Sequence, residues 1–151
     1  MRWLMKTEPN EFSIDHLRDR PGQQEPWDGV RNYQARNMMR DKMQINDEIF
    51  FYHSNCAEPG IVGLAKVASA SYPDPTAFDS EDSHFDPKSD PDSPRWFLVD
   101  VKFVKKFNRT ITLQELKTHP QLVELALVKR GNRLSIMPVG DAQWDFILGL
   151  L

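Results

Sequence analysis

The chain has 151 residues, of which 40% are hydrophobic and 27% are charged, and these values are ordinary for a soluble globular protein. The single cysteine, Cys56, excludes an internal disulfide and indicates a reducing compartment. The first residues contain too short an apolar run for a signal peptide, and no run approaches the roughly 20 apolar residues of a membrane span. We therefore expect one domain over residues 1–151, in the cytoplasm or, in a eukaryote, the nucleus.

The net charge of -3 is unevenly distributed along the chain. Residues 71–94 hold seven acidic residues and one lysine, so the rest of the chain is mildly basic. A basic body with one acidic loop is compatible with a contact to a single nucleotide. It does not indicate a protein that coats duplex DNA, where many phosphate contacts supply the affinity.

The first half of the chain predicts a strand over 2–6, a helix over 14–19 capped by Ser13, a loop over 21–26 and a helix over 33–42 capped by Asn32. Strands over 49–53 and 60–70 follow, then the acidic loop and a strand over 96–104. The last part predicts a short helix at the Thr112 capping box, an apolar segment over 122–128 that is ambiguous between helix and strand, a strand over 133–138 and a terminal helix capped by Asp141. The strands cluster instead of alternating with helices. This order predicts the α+β class, with a small, mostly antiparallel, barrel-like sheet and peripheral helices.

An eleven-residue stretch that begins at Trp27 combines the side chains that hold a nucleotide. Trp27 or Tyr33 offers a stacking face to a base, and Asn32 offers a donor beside an acceptor to a base edge. Arg31 and Arg36 offer donors to phosphate. The alternative interpretation is that Trp27 belongs to the core and the arginines form a solvated helix face.

Two further groups of candidate residues lie at the ends of predicted strands and in the loops that follow, which often line sites. In both groups the alternative is that the polar side chains satisfy the backbone of a turn. The groups are Tyr52, His53 and Ser54 at the end of one strand and Lys6, Thr7 and Glu8 at the end of another.

Several enzyme classes lack their motifs in this chain. There is no G-x-S-x-G, no phosphate-binding glycine loop, no zinc-deaminase pattern and no zinc-ligand spacing among the four histidines and one cysteine. An enzyme that acts on a nucleotide or nucleic acid, with His53 as base and Glu8 or Asp28 as its orienting group, stays open as an alternative. So does a protein-interaction module that docks through the acidic loop.

Five blocks of the sequence closely resemble the EVE domain, as found in the thymocyte nuclear protein 1 family and its bacterial counterparts. The blocks are W-L-M-K-T-E-P at 3–9, W-D-G-V-R-N-Y-Q-A-R-N at 27–37, F-F-Y-H-S-N-C at 50–56, E-P-G-I-V-G at 58–63 and R-L-S-I-M-P at 133–138. The resemblance covers essentially the whole chain in order. It implies a fold of the PUA-like superfamily, a pseudobarrel of mostly antiparallel strands with peripheral helices.

The resemblance also implies a non-catalytic module that recognises a modified cytosine or adenine in DNA or RNA. We expect a monomer that needs no cofactor and no metal. The pocket would have one wall from the Trp27 stretch, a second wall opposite it and three residues nearby. These residues are Trp27, Val30, Arg31, Asn32, Tyr33 and Arg36, then Tyr52, His53 and Ser54, and finally Lys6, Thr7 and Glu8.

Overall fold

A computed structural model describes all residues, 1–151, and contains eight strands and four α-helices. The strands are β1 (Arg2–Thr7), β2 (Gln24–Pro26), β3 (Glu48–His53), β4 (Gly60–Val67), β5 (Tyr72–Pro73), β6 (Phe97–Leu98), β7 (Asp100–Thr112) and β8 (Ile136–Pro138). The helices are α1 (Ile14–Asp19), α2 (Tyr33–Asn37), α3 (Leu113–Lys117) and α4 (Asp141–Leu148). None of these helices combines the length and the apolar composition needed to cross a membrane.

Six strands form the main sheet in the order β2-β7-β4-β3-β1-β8, and β5 pairs with β6 in a separate ribbon. Only β1 and β3 run parallel; every other neighbouring pair is antiparallel. Register shifts within β3–β4 and β4–β7 mark bulges, which bend strands and increase their twist. The predicted α+β class and the barrel-like, mostly antiparallel sheet are confirmed.

Hydrophobic side chains cover both faces of this sheet because successive strand residues point to opposite sides. On β1, Trp3 and Met5 enter one buried cluster and Leu4 enters the other. The first cluster includes residues of α1, α2 and the Trp27 segment, whereas the second includes residues of α3, α4 and the turns between them. On β3 the same alternation places Phe51 in the first cluster and Tyr52 in the second.

Three helix starts occur where the sequence predicts them. The Ser13 hydroxyl accepts a hydrogen bond from the His16 amide, the Asn32 side chain accepts one from the Ala35 amide, and the Thr112 hydroxyl accepts one from the Glu115 amide. Each satisfies an amide that the first turn of a helix leaves without a backbone partner. The second helix changes after Asn37 into a π-helical turn over Met38–Lys42.

Other elements differ from the prediction because tertiary contacts decide them. Gln24–Pro26, predicted as loop, pairs with β7 as a short edge strand. The long strand β7 extends to Thr112, since β4 pairs with it along most of its length. The apolar segment after Leu122 forms 3-10 turns instead of a helix or strand, and its leucines are buried in the second cluster. At the terminal helix the N-cap is Gly140, not Asp141.

Candidate functional site

A cavity of about 710 Å³ opens between the end of β1, the Trp27 segment and the acidic loop. Its size is typical of small-molecule sites. Sixteen residues line it, and only three of them are hydrophobic. The hydrophobic part is one corner, formed by Phe12, Trp27 and Val30. We call this space the main cavity.

Trp27 is held in one orientation by two perpendicular ring contacts. Its ring centroid lies 6.2 Å from that of Phe12 and 5.6 Å from that of Phe51, at interplanar angles of 84° and 87°. The residue is 8% exposed and borders the main cavity. Trp27 is therefore a core residue that also borders the cavity, and its role as a stacking face for a base stays a prediction.

Asp28, directly after Trp27, offers a carboxylate to the main cavity. No protein group donates a hydrogen bond to this carboxylate, although solvent reaches it. Desolvation by the surrounding protein, reinforced by the nearby Asp74 carboxylate, raises the pKa of Asp28 above its ordinary value. An acceptor without a donor in a cavity is available to a ligand.

Gly29, the next residue, has a left-handed backbone conformation, with φ of +77°. A Cβ atom there would lie 2.5 Å from Nε2 of His84, so the imidazole packs directly over the glycine. His84 belongs to the acidic loop and borders the main cavity. Only glycine combines this backbone conformation with this close approach.

We expect Gly29→Ala to destabilise the protein more than Gly131→Ala, although both glycines have positive φ. Space around Gly131 is open, so that change costs only the left-handed strain of about 1–2 kcal/mol. Gly29→Ala must also displace His84, which adds about 1 kcal/mol. Urea unfolding of both variants measures the difference, and a shift of the His84 imidazole resonances in Gly29→Ala alone identifies its cause. Equal losses would contradict the packing seen here.

Arg31 borders the main cavity, but its guanidinium is bonded to the protein. Its nitrogens donate five hydrogen bonds, to the carbonyls of His84 and Val30, the carboxylate of Asp74 and the hydroxyl of Thr76. A guanidinium has five N–H donors in all. The suggested phosphate contact by Arg31 is therefore replaced by a structural role, in which Arg31 ties the acidic loop to the Trp27 stretch.

Tyr33 and Arg36 hold the other end of the acidic loop. The Tyr33 ring stacks on Trp96 at 4.9 Å between centroids, and the Arg36 guanidinium lies 4.8 Å from the Tyr33 centroid. Arg36 also donates to the Arg95 carbonyl at 2.8 Å. Neither Tyr33 nor Arg36 lines the main cavity, and Asn32 is used as the cap of α2.

The acidic residues of the loop mainly serve its own backbone. Carboxylates accept hydrogen bonds from amides two residues further along, which is the geometry of Asx turns. The pairs are Asp79 with Glu81, Asp82 with His84, Asp86 with Lys88 and Asp90 with Asp92. Local turn formation thus accounts for four of the seven acidic residues, and Asp74 and Asp86 also pair with Arg31 and Arg95.

The wall expected opposite Trp27 does not form from the end of β3. Tyr52 is 2% exposed in the cluster on the other face of the sheet, where burial raises its pKa to about 12. His53 lies on the same face as Trp27 but is separated from it by Phe51. Its Nε2 accepts a hydrogen bond from the Ile14 amide at 3.1 Å, and burial lowers its pKa.

A second cavity, of about 440 Å³, adjoins the first and shares residues of β1 and the following loop with it. Ser54 borders this second cavity, together with Arg133 and Ser135. Of the sequence-predicted candidates, Trp27, Val30, Arg31, Lys6, Thr7 and Glu8 line the main cavity. Asn32, Tyr33, Arg36, Tyr52 and His53 line neither.

The sequence does not predict a binding role for several residues that line the main cavity. It suggests Asp28 only as an orienting group for His53, although the position of Asp28 beside Trp27 is a usable signal. Phe12 and His84 carry no local signal, because their relation to the cavity exists only in the folded chain. Nowhere in the protein do three or more His, Cys, Asp or Glu side chains come together in an arrangement suited to a metal ion.

Comparison with known proteins supports the resemblance seen in the sequence. The EVE domain family profile matches residues 1–150. Mouse thymocyte nuclear protein 1 is 47% identical over 165 aligned residues, covering 98% of this chain and 72% of the mouse protein.

Solved structures agree with this assignment. A crystal structure of a Pseudomonas syringae protein superposes with a TM-score of 0.94 at 49% identity, with 99% of each chain covered. Human THYN1 protein, crystallised in complex with DNA containing 5-methylcytosine, superposes with a TM-score of 0.92 at 46% identity, covering 99% of this chain and 96% of that one. By its sequence and by its fold, this chain belongs to the EVE domain family.

Proposed function

We propose that this protein is a nucleic-acid-binding module that recognises 5-methylcytosine in DNA by holding the base, unchanged, in the main cavity. The observation that carries the proposal is the corner where the Trp27 indole and the Asp28 carboxylate border one space. The complex of human THYN1 with DNA containing 5-methylcytosine, at 46% identity over 99% of this chain, supports the same ligand class.

The cavity offers a suitable partner for each part of the base. Phe12, Trp27 and Val30 supply apolar surface, where burial of one methyl group contributes about 0.8 kcal/mol. An ionised Asp28 accepts a hydrogen bond from the exocyclic 4-amino group, which is the contact that acidic side chains make to cytosine. A base must leave its stack to reach such a cavity, at a cost of a few kcal/mol.

A purely binding role fits the surroundings of His53. The enzymatic alternative uses His53 as base, but its Nε2 is bonded to the Ile14 amide and the residue lines neither cavity. We infer a single domain, because both core clusters pack on the same central sheet and neither half has a sheet of its own. We further propose that it acts as a monomer, without metal or cofactor, in the cytoplasm or a eukaryotic nucleus.

Binding of short single-stranded oligonucleotides that differ at one base tests the proposal. We expect 5-methylcytosine to bind about fourfold more tightly than cytosine, as one buried methyl group predicts. Thymine carries the same methyl group but a carbonyl in place of the 4-amino group, so it should bind more weakly than 5-methylcytosine. Asp28→Ala should remove the discrimination against thymine and retain that between thymine and uracil, which reports on the methyl group alone.

Fluorescence anisotropy at several pH values measures these ratios. Protonation removes the charge of Asp28 and turns one of its acceptor oxygens into a donor, which can bond to the 4-carbonyl of thymine. Discrimination against thymine should therefore fade as the pH drops through the raised pKa of Asp28. Equal binding of 5-methylcytosine and cytosine would overturn the proposed specificity. Mass spectrometry of the recovered oligonucleotide adds the test against catalysis, because a changed base would overturn the purely binding role.

A further inference from the structure

Three strand ends meet at the second cavity because of the sheet topology. Parallel β1 and β3 both end there, and antiparallel β8 begins there. The Ser54 amide donates to the Thr7 carbonyl at 2.9 Å, and the Lys6 amide donates to the Ser135 carbonyl at 2.8 Å. The side chains of Lys6, Ser54 and Ser135 consequently border one space, with Arg133 at its rim.

Two cations in this space have no anionic partner. Neither Lys6 nor Arg133 makes a salt bridge or donates a side-chain hydrogen bond, whereas Arg2, Arg31 and Arg109 all pair with carboxylates. Lys6 is partly buried, its ammonium lies 5.7 Å from the Tyr52 ring centroid, and desolvation lowers its pKa. A partly desolvated ammonium without a counterion is suited to an anionic ligand.

The remaining polar groups leave room for an anion with several oxygens. The hydroxyls of Ser54 and Ser135 form no hydrogen bond within the protein, so both can donate. Two carboxylates also border the cavity: Glu8, which accepts a hydrogen bond from Asn55 at 2.6 Å, and the exposed Glu11. With two cations and two carboxylates, the space is electrically balanced, so an isolated phosphate should bind weakly.

We propose that the second cavity is a phosphate subsite, in which Lys6 and Arg133 hold a backbone phosphate next to the base in the main cavity. This inference rests on the proposed function for the position of the base. The two cavities share Lys6, Thr7, Glu8, Glu11 and Ser135, so they lie side by side. A nucleotide carries its phosphates one sugar away from its base, which matches adjoining cavities.

A double-mutant cycle, with one change in the protein and one in the DNA, tests the phosphate subsite. The ligands are short single-stranded DNAs with one 5-methylcytosine, in which the phosphate on its 5′ side or its 3′ side is replaced by a neutral methylphosphonate. We expect wild type to lose about tenfold in affinity for one of the two positions, because a charge-assisted contact is lost. The double variant Lys6→Gln/Arg133→Gln should bind the charged and neutral forms of that DNA alike.

A variant with the same change in net charge provides the control. Lys42 and Lys117 are exposed, form no salt bridge and line neither cavity, so Lys42→Gln/Lys117→Gln should keep the wild-type sensitivity. The inference is overturned if wild type tolerates both methylphosphonates, if the double variant keeps the sensitivity, or if the control loses it. The same measurements on DNA with unmethylated cytosine separate the two proposals. If methylated and unmethylated DNA bind equally but the sensitivity to the methylphosphonate remains, only the proposed recognition of 5-methylcytosine is contradicted.

Discussion

Replacing Trp27 with alanine is expected to remove the preference for 5-methylcytosine and to lower the free energy of unfolding by about 3–5 kcal/mol. The indole is 8% exposed and packs against Phe12 and Phe51, so its loss leaves a void in the first core cluster. The same loss removes an aromatic side chain that borders the main cavity. Stacking of one base on one aromatic ring contributes about 1–3 kcal/mol, which sets the expected loss of affinity.

Trp144→Ala is the matched control for this prediction. Trp144 is 1% exposed in the second cluster, where it stacks on Phe50 at 3.7 Å between centroids, so the same truncation should destabilise the fold to a similar degree. It lines neither cavity, and the ratio of affinities for methylated and unmethylated oligonucleotides should stay at the wild-type value. Urea unfolding and anisotropy on both variants measure the two effects. A parallel loss of preference in both would show that stability, not the cavity, governs binding.

Two leucine variants allow the same comparison if the alanine variants do not fold. Trp27→Leu and Trp144→Leu retain apolar volume and should cost less stability than the alanine variants. Only Trp27→Leu removes an aromatic surface from the main cavity. The expected pattern is therefore unchanged, with weakened base recognition in Trp27→Leu and wild-type recognition in Trp144→Leu.

Replacing Asp74 with alanine is expected to cost about 3–5 kcal/mol, because it leaves a partly buried guanidinium without its partner. The Asp74 side chain is 1% exposed and lies 3.0 Å from a nitrogen of Arg31. It also accepts hydrogen bonds from the Gly29 amide and from the amide and hydroxyl of Thr76. One carboxylate thus fixes the segment after Trp27 and the start of the acidic loop, so both should loosen together.

The loss of stability in Asp74→Ala should depend on pH in a predictable direction. Burial acts to raise the pKa of Asp74, but hydrogen bonds from Thr76, Gly29 and Arg31 outweigh it and hold the pKa below its ordinary value of 3.8. A carboxyl group whose pKa is lowered on folding stabilises the fold above that ordinary value, and this contribution disappears as the pH falls through the folded pKa. The gap in stability between wild type and Asp74→Ala should therefore narrow in acid.

Asp92→Ala is the control within the same loop. Asp92 is exposed and its carboxylate forms no hydrogen bond or salt bridge, so its removal should change stability by no more than about 0.5 kcal/mol. Urea titrations at neutral and acidic pH compare the three proteins. A loss in Asp74→Ala as small as that in Asp92→Ala would contradict the role of Asp74 as an anchor.

The acidic loop is part of the site architecture in this structure. Arg31 and Asp74 fix its start, and Trp96, Tyr33 and Arg36 fix its end. Through His84 it also borders the main cavity. These contacts favour a structural role for the loop over a docking segment for another protein.

The sequence by itself determined the features that depend on neighbouring residues, such as strands, helix caps and backbone conformation at glycine. The continuous apolar runs of β1 and β3 predict buried strands, and the Ser13 and Asn32 caps predict the starts of α1 and α2. Gly29 has a positive φ, which glycine adopts without steric strain. The aromatic, guanidinium and amide groups of the Trp27 stretch predict a binding site, and three residues of the stretch, Trp27, Val30 and Arg31, line the main cavity.

Only the tertiary structure decided which of these groups face a ligand. Arg31 has the right chemistry for phosphate, but four of its five hydrogen bonds go to groups that lie more than 40 residues away along the chain. Tyr52 follows Phe51 by one residue, so the period of two in a strand places it on the opposite face from Trp27. Asp28 borders the cavity without a donor because the fold brings it no partner. The sequence specifies the type of each side chain, but distant segments of the chain supply its hydrogen-bond partners. Those partners decide whether the side chain stays available to bind a ligand.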